Sequence, residues 1–239
     1  TVGETFLNCF TQPNPVTWML SNAQWMTLDA RYDLQPAIDH YRTVVAGTSS
    51  FERTSLTARV GMGADYPLSG STPYLDQEIA ATHASVAVVM YGTNDIGNGG
   101  TFDPSADIYR FRDYPKMMLD LIDAIIVRGI VPIMSTIPPR TSDARAAMLV
   151  PSFNEIVRGI AEAKKVPLMD YNREMRQLPS QGMSSDGVHP NYASWPYQTC
   201  NLTPSFLQYG YNMRNLVALD ALERVRKVLI DNSAELNSA

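Results

Sequence analysis

The sequence contains few cysteines, few histidines and no long apolar run. Of its 239 residues, two are cysteine and three are histidine. No apolar segment reaches the roughly 18 residues that a membrane-spanning helix needs, so no membrane span is expected. The formal net charge of -5 gives no basic surface of the kind that binds nucleic acid. The sequence therefore predicts a protein with neither a membrane span nor a nucleic-acid partner.

The two cysteines, Cys9 and Cys200, allow one disulfide, and the alternative is two buried free thiols. In a chain-entropy model, closing so long a loop would stabilise the fold by about 4 kcal/mol. Disulfides persist in oxidising compartments, so a bridge would favour a secreted or periplasmic location, whereas free thiols leave a cytoplasmic one open. The opening TVGETFLNCF lacks the charged and apolar regions of a signal peptide, which could have been removed before Thr1.

Short apolar runs alternate with helical patterns along the chain, in which 45% of residues are hydrophobic. Residues 86–92, 129–140 and 166–172 each form an apolar run that ends in turn residues, which is typical of strands buried on both faces. Apolar stripes at helical spacing predict helices over residues 114–128, 151–165 and 215–230. We therefore predict a single α/β domain over residues 1–239, a three-layer α/β/α fold with a parallel, flavodoxin-like sheet.

The remaining segments carry weaker signals. Residues 41–47 are compatible with a strand, and residues 55–68 contain a Gly-x-Gly turn. Residues 200–211 are rich in Tyr, Phe and Pro and are interpreted as a loop.

The stretch MYGTNDIGN, residues 90–98, places polar residues directly after an apolar strand. In open α/β sheets, ligands bind beyond the carboxyl ends of the strands, so Asn94 and Asp95 fall on the ligand-binding edge. An Asn side-chain amide at that edge can donate a hydrogen bond to a developing oxyanion. Asn and Asp also favour turns and caps, which is the more frequent role of such a stretch taken alone.

A second stretch, SDGVHPN at residues 185–191, brings Asp186 and His189 together in a loop that contains Gly and Pro. A carboxylate that accepts from the imidazole Nδ1–H fixes the tautomer and leaves Nε2 to take a proton from a nucleophile. The other two histidines, His40 and His83, lie in helix-like surroundings and are interpreted as structural or surface residues.

The two stretches together resemble the SGNH, or GDSL-type, hydrolase family. Residues 92–95 match its Gly-x-Asn-Asp block and residues 186–190 match its late Asp-x-x-His-Pro block, in the order that the family has them. The resemblance implies that Asn94 donates to the oxyanion, that His189 is the general base and that Asp186 orients it. It implies that neither a metal nor an organic cofactor is needed.

The family also places a glycine before the Asn block, with its backbone N–H facing the oxyanion. Gly61 and Gly63 both fit this position, and counting back from Asn94 does not choose between them. We favour Gly61, and the alternative is a plain glycine-rich turn.

The nucleophile that the resemblance implies is a serine in a Gly-Asp-Ser block, and no such block occurs in the 239 residues. Family members often continue this block with Thr-x-Gly, which the opening Thr-Val-Gly matches, so the leading interpretation places the serine two residues before Thr1. Alternatives are Thr5 in a degraded block, Ser49 or Ser50 after a strand at residues 44–46, and Thr1 itself, activated by its own amine.

The resemblance therefore implies a serine-type ester hydrolase, of the carboxylesterase or acetylesterase class, that forms an acyl-enzyme on a small-molecule or glycan ester. A non-catalytic binding or scaffold protein of the same fold is the alternative, because Gly-Asp-Ser is missing. An acyltransferase would differ only in the acceptor. The aromatic segment at residues 195–212 is interpreted either as the wall of an acyl or sugar pocket or as a loop that packs on the domain.

Overall fold

The computed structural model describes residues 27–41, 43, 55–97, 99–193 and 201–229. The strands in these ranges are β1 (Thr27–Leu28), β2 (Val86–Val89), β3 (Val131–Ser135), β4 (Leu168–Met169) and β5 (Asn201–Leu202). The helices are α1 (Gln35–Tyr41), α2 (Tyr74–Thr82), α3 (Thr93–Ile96), α4 (Pro104–Val127), α5 (Ala144–Lys164), α6 (Tyr171–Met175) and α7 (Gly210–Leu229). Two short 3-10 helices span Tyr66–Leu68 and Pro179–Gly182.

The central sheet is parallel and has the strand order β2-β3-β4. Val86 pairs with Val131 at one end of the first ladder, and Met134 pairs with Leu168 in the second. Parallel neighbours need long crossovers, which α4 supplies between β2 and β3 and α5 supplies between β3 and β4. Strands β1 and β5 form a second parallel pair. The predicted α/β fold with parallel strands is confirmed.

The core lies where two groups of helices pack on this sheet. Helices α4 and α5 contact each other and β3, and the ring of Tyr114 stacks on that of Phe153 with 4.3 Å between centroids. Helix α7 contacts β4, β5, α1 and α6. In β3 itself, Ile133 and Met134 are fully buried. The strands are therefore held between packed helices. Because the strands are fixed, the loops that follow their carboxyl ends begin at fixed positions.

Helices α4 and α5 begin earlier than their apolar stripes predicted, at residue 104 instead of 114 and at residue 144 instead of 151. Each begins at an aspartate N-cap, because Asp103 accepts from the backbone N–H of Ser105 at 2.9 Å and Asp143 accepts from that of Ala146 at 2.7 Å. Each helix also runs through an internal proline. The stop predicted at Gly129 is confirmed, since α4 ends at Val127.

Two of the weaker predictions need correction. Tyr41 is the last residue of α1 and not the start of a strand, and its hydroxyl donates to the carbonyl oxygen of Leu222 in α7; residues 44–47 lie outside the described ranges. Residues 201–211 are not a plain loop, because Asn201–Leu202 forms β5 and α7 begins at Gly210. The strand was missed because its partner, β1, lies far away in the sequence.

Strand β2 pairs with β3 on one side and has no second neighbour among the described strands. Its continuous apolar sequence is typical of a strand that is covered on both faces. Val86, Ala87 and Val88 are nevertheless only half-buried, whereas most of β3 is buried. Within the same ranges, no helix has the length and apolarity to cross a membrane.

Candidate active site

The loop after the 3-10 helix at Pro179–Gly182 holds an aspartate against a histidine. Asp186 Oδ2 lies 2.6 Å from His189 Nδ1. The other carboxylate oxygen, Oδ1, accepts from the hydroxyl of Ser184 at 2.7 Å and from the backbone N–H groups of Val188 and His189 at 2.8 and 2.9 Å. This is the local turn that an Asp side chain forms with the backbone that follows it. One oxygen is therefore fixed by the loop, and the other faces the ring.

The charge on Asp186 decides which ring nitrogen of His189 carries a hydrogen. Burial raises the pKa of Asp186, but the backbone N–H of His189, the Ser184 hydroxyl, the imidazole and the N–H of Val188 together outweigh it and hold this pKa well below its usual range. An ionised carboxylate can only accept, so Nδ1 carries the hydrogen. In the neutral ring, Nε2 is then an acceptor. The His189 side chain is 57% exposed, which leaves it accessible to a substrate.

The single-turn helix α3 carries the second motif directly beyond β2. The side-chain amide of Asn94 donates to the carbonyl oxygen of Met62 at 2.9 Å. The neighbouring Asp95 accepts from the backbone N–H of Ala64 through Oδ1 at 3.0 Å. Both side chains thus bind the turn at residues 62–64, which joins the Asn block to the glycine-rich segment.

The two candidate glycines of this segment have different surroundings. Gly61 has a φ of +80°, a conformation that favours glycine, and an added Cβ would meet nothing within 4 Å. At Gly63, an added Cβ would lie 2.8 Å from Asp95 Oδ1. Gly61 therefore faces open space, whereas Gly63 is packed against the carboxylate that holds the turn.

Asp95 has an unusual environment for a carboxylate. Its Oδ2 is buried and has no hydrogen-bond partner in the described parts of the chain. Burial raises the pKa of Asp95 more than the hydrogen bond from Ala64 lowers it. Beside it lies a cavity of about 290 Å³, whose lining includes neither Asn94 nor His189. The cavity is lined by Asp95 and by residues on one face of α4. The α4 residues are Ala106, Tyr109, Arg110, Asp113, Tyr114 and Met117.

Three guanidinium groups bind the carbonyl oxygens of α3. The guanidinium nitrogen of Arg140 donates to the carbonyl oxygen of Thr93 at 3.2 Å, that of Arg110 to Asp95 at 2.5 Å and that of Arg145 to Ile96 at 3.0 Å. The carbonyl groups at a helix C-terminus lack partners within the helix and carry partial negative charge, so cations stabilise them. The three arginines, named the arginine cluster below, therefore fix the one turn of helix that presents Asn94.

Asp107 of α4 supports two members of this cluster. It is 1% exposed, and both of its carboxylate oxygens lie 3.1 Å from Nε of Arg145. Arg110 Nε lies 3.3 Å from the same carboxylate. Buried charges are tolerated when they are paired and hydrogen-bonded, as Asp107 and Arg145 are.

Arg140 belongs to the segment that follows β3 and reaches the histidine loop. Directly after it, the backbone N–H groups of Thr141 and Ser142 donate to the carbonyl oxygen of Gly187 at 2.9 and 3.1 Å. An added Cβ at Gly187 would lie 2.3 Å from the Ser142 nitrogen, so only glycine fits. The segment therefore connects α3, through Arg140, with the loop of Asp186 and His189.

The other predicted site residues are placed as follows. Thr1, Thr5, Ser49, Ser50, Cys9 and Cys200 lie outside the described ranges, so the nucleophile and the disulfide stay predictions. His40 is exposed on α1, and His83 ends α2. Within the described ranges, no group of three or more His, Cys, Asp or Glu side chains could hold a metal ion.

Part of the aromatic segment at residues 195–212 is described, from residue 201 onward. The backbone N–H of Tyr211 donates to the carbonyl oxygen of Asn191 at 3.0 Å, and Gly210 N–H donates to the Asn191 side chain at 2.7 Å. Phe206 and Tyr209 are half-buried. The start of α7 is thus attached to the loop just after His189.

Comparison with known families gives one match, over residues 23–194, to the GDSL-like Lipase/Acylhydrolase family. The chain belongs to this family. The match covers more than half of the chain and includes Asn94, Asp186 and His189. A comparison with curated protein sequences gives no match.

Two solved structures are similar to this chain. One is a GDSL-like lipase from Bacteroides thetaiotaomicron VPI-5482, 18% identical, with a TM-score of 0.47 over 69% of this chain and 73% of that one. The other is a presumed acylhydrolase from Bacteroides fragilis NCTC 9343, also 18% identical, with a TM-score of 0.47 over 69% of this chain and 72% of that one.

The arginine cluster was missed by the sequence analysis. Arg110, Arg140 and Arg145 belong to none of the family blocks and are well separated from Asn94 along the chain. One signal was available, because Arg140 follows the apolar run of β3 and therefore falls on the same edge as Asn94.

Proposed function

We propose that this member of the GDSL-like Lipase/Acylhydrolase family is a serine-type esterase that forms an acyl-enzyme. The observation that carries the proposal is the pair formed by Asp186 and His189, with 2.6 Å between carboxylate and ring nitrogen. In the proposed reaction, His189 Nε2 takes the proton from the nucleophile hydroxyl and later returns a proton to the leaving alcohol. Water then repeats the two steps and releases the acid. Asp186 holds the ring in the tautomer that this cycle needs.

Asn94 is the proposed side-chain donor to the oxyanion. An amide nitrogen carries two hydrogens, and the bond to Met62 uses one of them. The other can point to the substrate, where a fixed donor stabilises the charge that develops on the carbonyl oxygen. We assign the backbone donor to Gly61 instead of Gly63, since Gly61 faces open space and Gly63 is packed against Asp95.

We propose that the nucleophile is the serine of a Gly-Asp-Ser block just upstream of Thr1. Such a block ends a strand, and the half-buried edge of β2 supports the presence of one more parallel neighbour there. A strand at that edge would end beside Asn94, where ligands bind in an open α/β sheet.

Ser49 and Ser50 are the alternative nucleophiles, and this alternative would need the same edge of the sheet. Residues 44–46 would supply the strand, and both serines lie within the family match, whereas Thr5 and a block upstream of Thr1 lie outside it. A fluorophosphonate label followed by peptide mapping separates these possibilities. The leading proposal requires the label on a peptide upstream of Thr1; a label on Ser49, Ser50 or Thr5 would refute it and identify the replacement.

The esterase proposal is tested with the His189→Ala variant and the hydrolysis of p-nitrophenyl acetate. We expect kcat to fall at least about a thousand-fold, as when a general base is removed from a catalytic triad. His40→Ala is the matched control, because His40 is exposed on α1 and should leave turnover unchanged. Equal turnover in the His189 variant and the control would contradict the proposal.

A non-catalytic binding protein of the same fold is the second candidate, and the absence of Gly-Asp-Ser from the 239 residues favours it. This candidate predicts neither ester hydrolysis nor phosphonate labelling in the natural protein. For the esterase, we propose a small-molecule or glycan ester as substrate. Transfer of the acyl group to an alcohol instead of water would identify the protein as an acyltransferase.

A further inference from the structure

We propose that Arg140 is a positioning residue that holds Asn94 in a fixed relation to His189. This inference rests on the proposed esterase function, in which Asn94 and His189 act on the same carbonyl group. Arg140 touches neither the nucleophile nor the substrate in this proposal. It acts through two parts of the site, called the two arms below. Its side chain binds α3, and the next two residues of the chain bind the loop of Asp186 and His189.

The first arm is α3, whose geometry depends on contacts from outside the helix. Within it, Ile96 N–H donates to Gly92 and Gly97 N–H donates to Asn94, each at 3.0 Å. A single turn with so few internal hydrogen bonds is not stable alone. Arg140 Nη1 donates to the carbonyl oxygen of Thr93, the residue directly before Asn94. Of the three arginines, Arg140 therefore binds nearest to the start of the turn.

The second arm is the loop of Asp186 and His189. The residues next to Arg140 along the chain, Thr141 and Ser142, donate their backbone N–H groups to Gly187 in that loop. Arg140 Nη2 in addition donates to the Ser142 hydroxyl at 3.2 Å. A shift of either arm is therefore transmitted to the other through one side chain and two peptide bonds.

The chemistry of the guanidinium suits this role. Arg140 is 2% exposed, so its charge is held away from bulk water at a cost in stability that a purely structural site could avoid with an apolar residue. Its planar fork donates in two fixed directions at once, toward Thr93 and toward Ser142. A lysine ammonium offers a point charge without this fork and cannot reproduce both bonds.

Arg110 and Arg145 differ from Arg140 in what they join. Both bind the last carbonyl groups of α3 and the Asp107 carboxylate, so they connect α3 with α4 and α5. The bonds described above give neither of them a link to the Asp186 loop. Arg110 is therefore a matched control, because its guanidinium also binds α3 but has no described bond to the second arm.

The experiment is a double-mutant cycle that combines Arg140→Lys with Asn94→Ala, measured as kcat and KM for p-nitrophenyl acetate. We expect Arg140→Lys to lower kcat about a hundred-fold with little change in KM, which is the effect of misplacing a catalytic group by about 1 Å. In the Asn94→Ala background, the same change should lower kcat less than three-fold, because the donor that it positions is already gone. Arg110→Lys weakens the contacts of α3 but leaves the link to the histidine loop intact, so it should lower kcat by a smaller factor than Arg140→Lys does.

A second measurement keeps the proposal testable if lysine at this position unfolds the chain. The Arg140→Ala variant is assayed with and without 20 mM guanidinium chloride, and 20 mM methylammonium chloride is the control cation. We expect guanidinium to raise kcat at least five-fold and methylammonium to leave it unchanged, while melting temperatures confirm that the variant is folded. Additive losses in the cycle, or a folded Arg140→Ala variant with wild-type kcat, would overturn the proposal.

These outcomes are distinguishable from failure of the esterase proposal. If His189→Ala abolishes turnover and the cycle is additive, only the role of Arg140 is wrong. If His189→Ala keeps its turnover, the function itself is wrong.

Discussion

The carboxylate of Asp186 accepts a hydrogen bond from the imidazole of His189, with 2.6 Å between Oδ2 and Nδ1. Three further donors hold Oδ1, and two of them are backbone N–H groups of the same loop. The direction of Oδ2 is therefore set by the backbone, and the ring follows it. Orientation and tautomer of the proposed base thus both depend on a single carboxylate.

Asp186→Asn is expected to lower kcat by about 10³- to 10⁴-fold, because an amide can present its N–H to Nδ1 and favour the wrong tautomer. The measurement is steady-state hydrolysis of p-nitrophenyl acetate, with the melting temperature as a check on folding. Asp186→Glu is the companion variant, and it should recover part of the loss through its charge. Full activity in the Asn variant would contradict the proposed role of Asp186.

Gly187→Ala is expected to lower kcat as well as stability. Its φ of +66° is strained for alanine, and the added Cβ would lie 2.3 Å from the Ser142 nitrogen, so the two segments must separate. Gly129→Ala is a matched control, because Gly129 has a φ of +75° and an added Cβ there meets nothing within 4 Å. Both variants should lose about 1–2 kcal/mol of unfolding free energy from the backbone conformation. Only the change at 187 should reduce kcat, and equal kcat values in both variants would contradict the predicted separation.

Asp107→Ala is expected to destabilise the fold by about 3–5 kcal/mol in urea unfolding, since it leaves the buried guanidinium of Arg145 without its carboxylate. Arg145→Met in the same chain should recover part of this loss, because the unpaired charge is then removed. If the double variant is no more stable than Asp107→Ala, the ion pair is not the cause.

The same pair predicts a pH dependence. The hydrogen bond from Arg145 lowers the pKa of Asp107 in the folded state. A lowered pKa means that the contribution to stability is complete above the unfolded value of about 3.9 and is lost as the pH falls through the folded value. The difference in unfolding free energy between wild type and Asp107→Ala should therefore shrink on acidification below pH 4. A difference that is constant down to pH 2 would contradict the lowered pKa.

Asp95→Asn is expected to change the free energy of unfolding with a pH dependence opposite to that of Asp107→Ala. Burial raises the pKa of Asp95, so the folded wild type is most favoured below the unfolded value of about 3.9 and loses stability as the pH rises through the folded value. Asparagine keeps an Oδ1 acceptor for Ala64 and has no charge to bury. The variant should equal or exceed wild type in unfolding free energy at pH 7, and the advantage should disappear at pH 4.

The fold was predictable where the residues that determine an element lie within that element. The apolar runs at residues 86–92 and 129–140 became β2 and β3, because a strand covered on both faces must be apolar throughout. The starts of α4 and α5 were not predicted, because their first turns are fixed by the Asp103 and Asp143 caps and carry no apolar stripe. The pair of β1 with β5 depends on partners far apart in the sequence.

For the candidate site, the motifs predicted roles for Asn94, Asp186 and His189, since each family block keeps its residues close together in the chain. The contacts of the arginine cluster could not be found in this way. Arg110 and Arg145 meet α3 only because α4 and α5 pack side by side, and Arg140 arrives from the end of β3.

The arginine cluster has a consequence for the local dynamics of the site. Helix α3 lies at the end of a strand, and a single turn in such a position would ordinarily fray within a small fraction of a second. Its carbonyl groups are bound from three separate segments, so opening the turn requires breaking contacts to α4, to α5 and to the segment after β3. The amide hydrogens of Ile96 and Gly97 should therefore exchange with solvent at the pace of global unfolding.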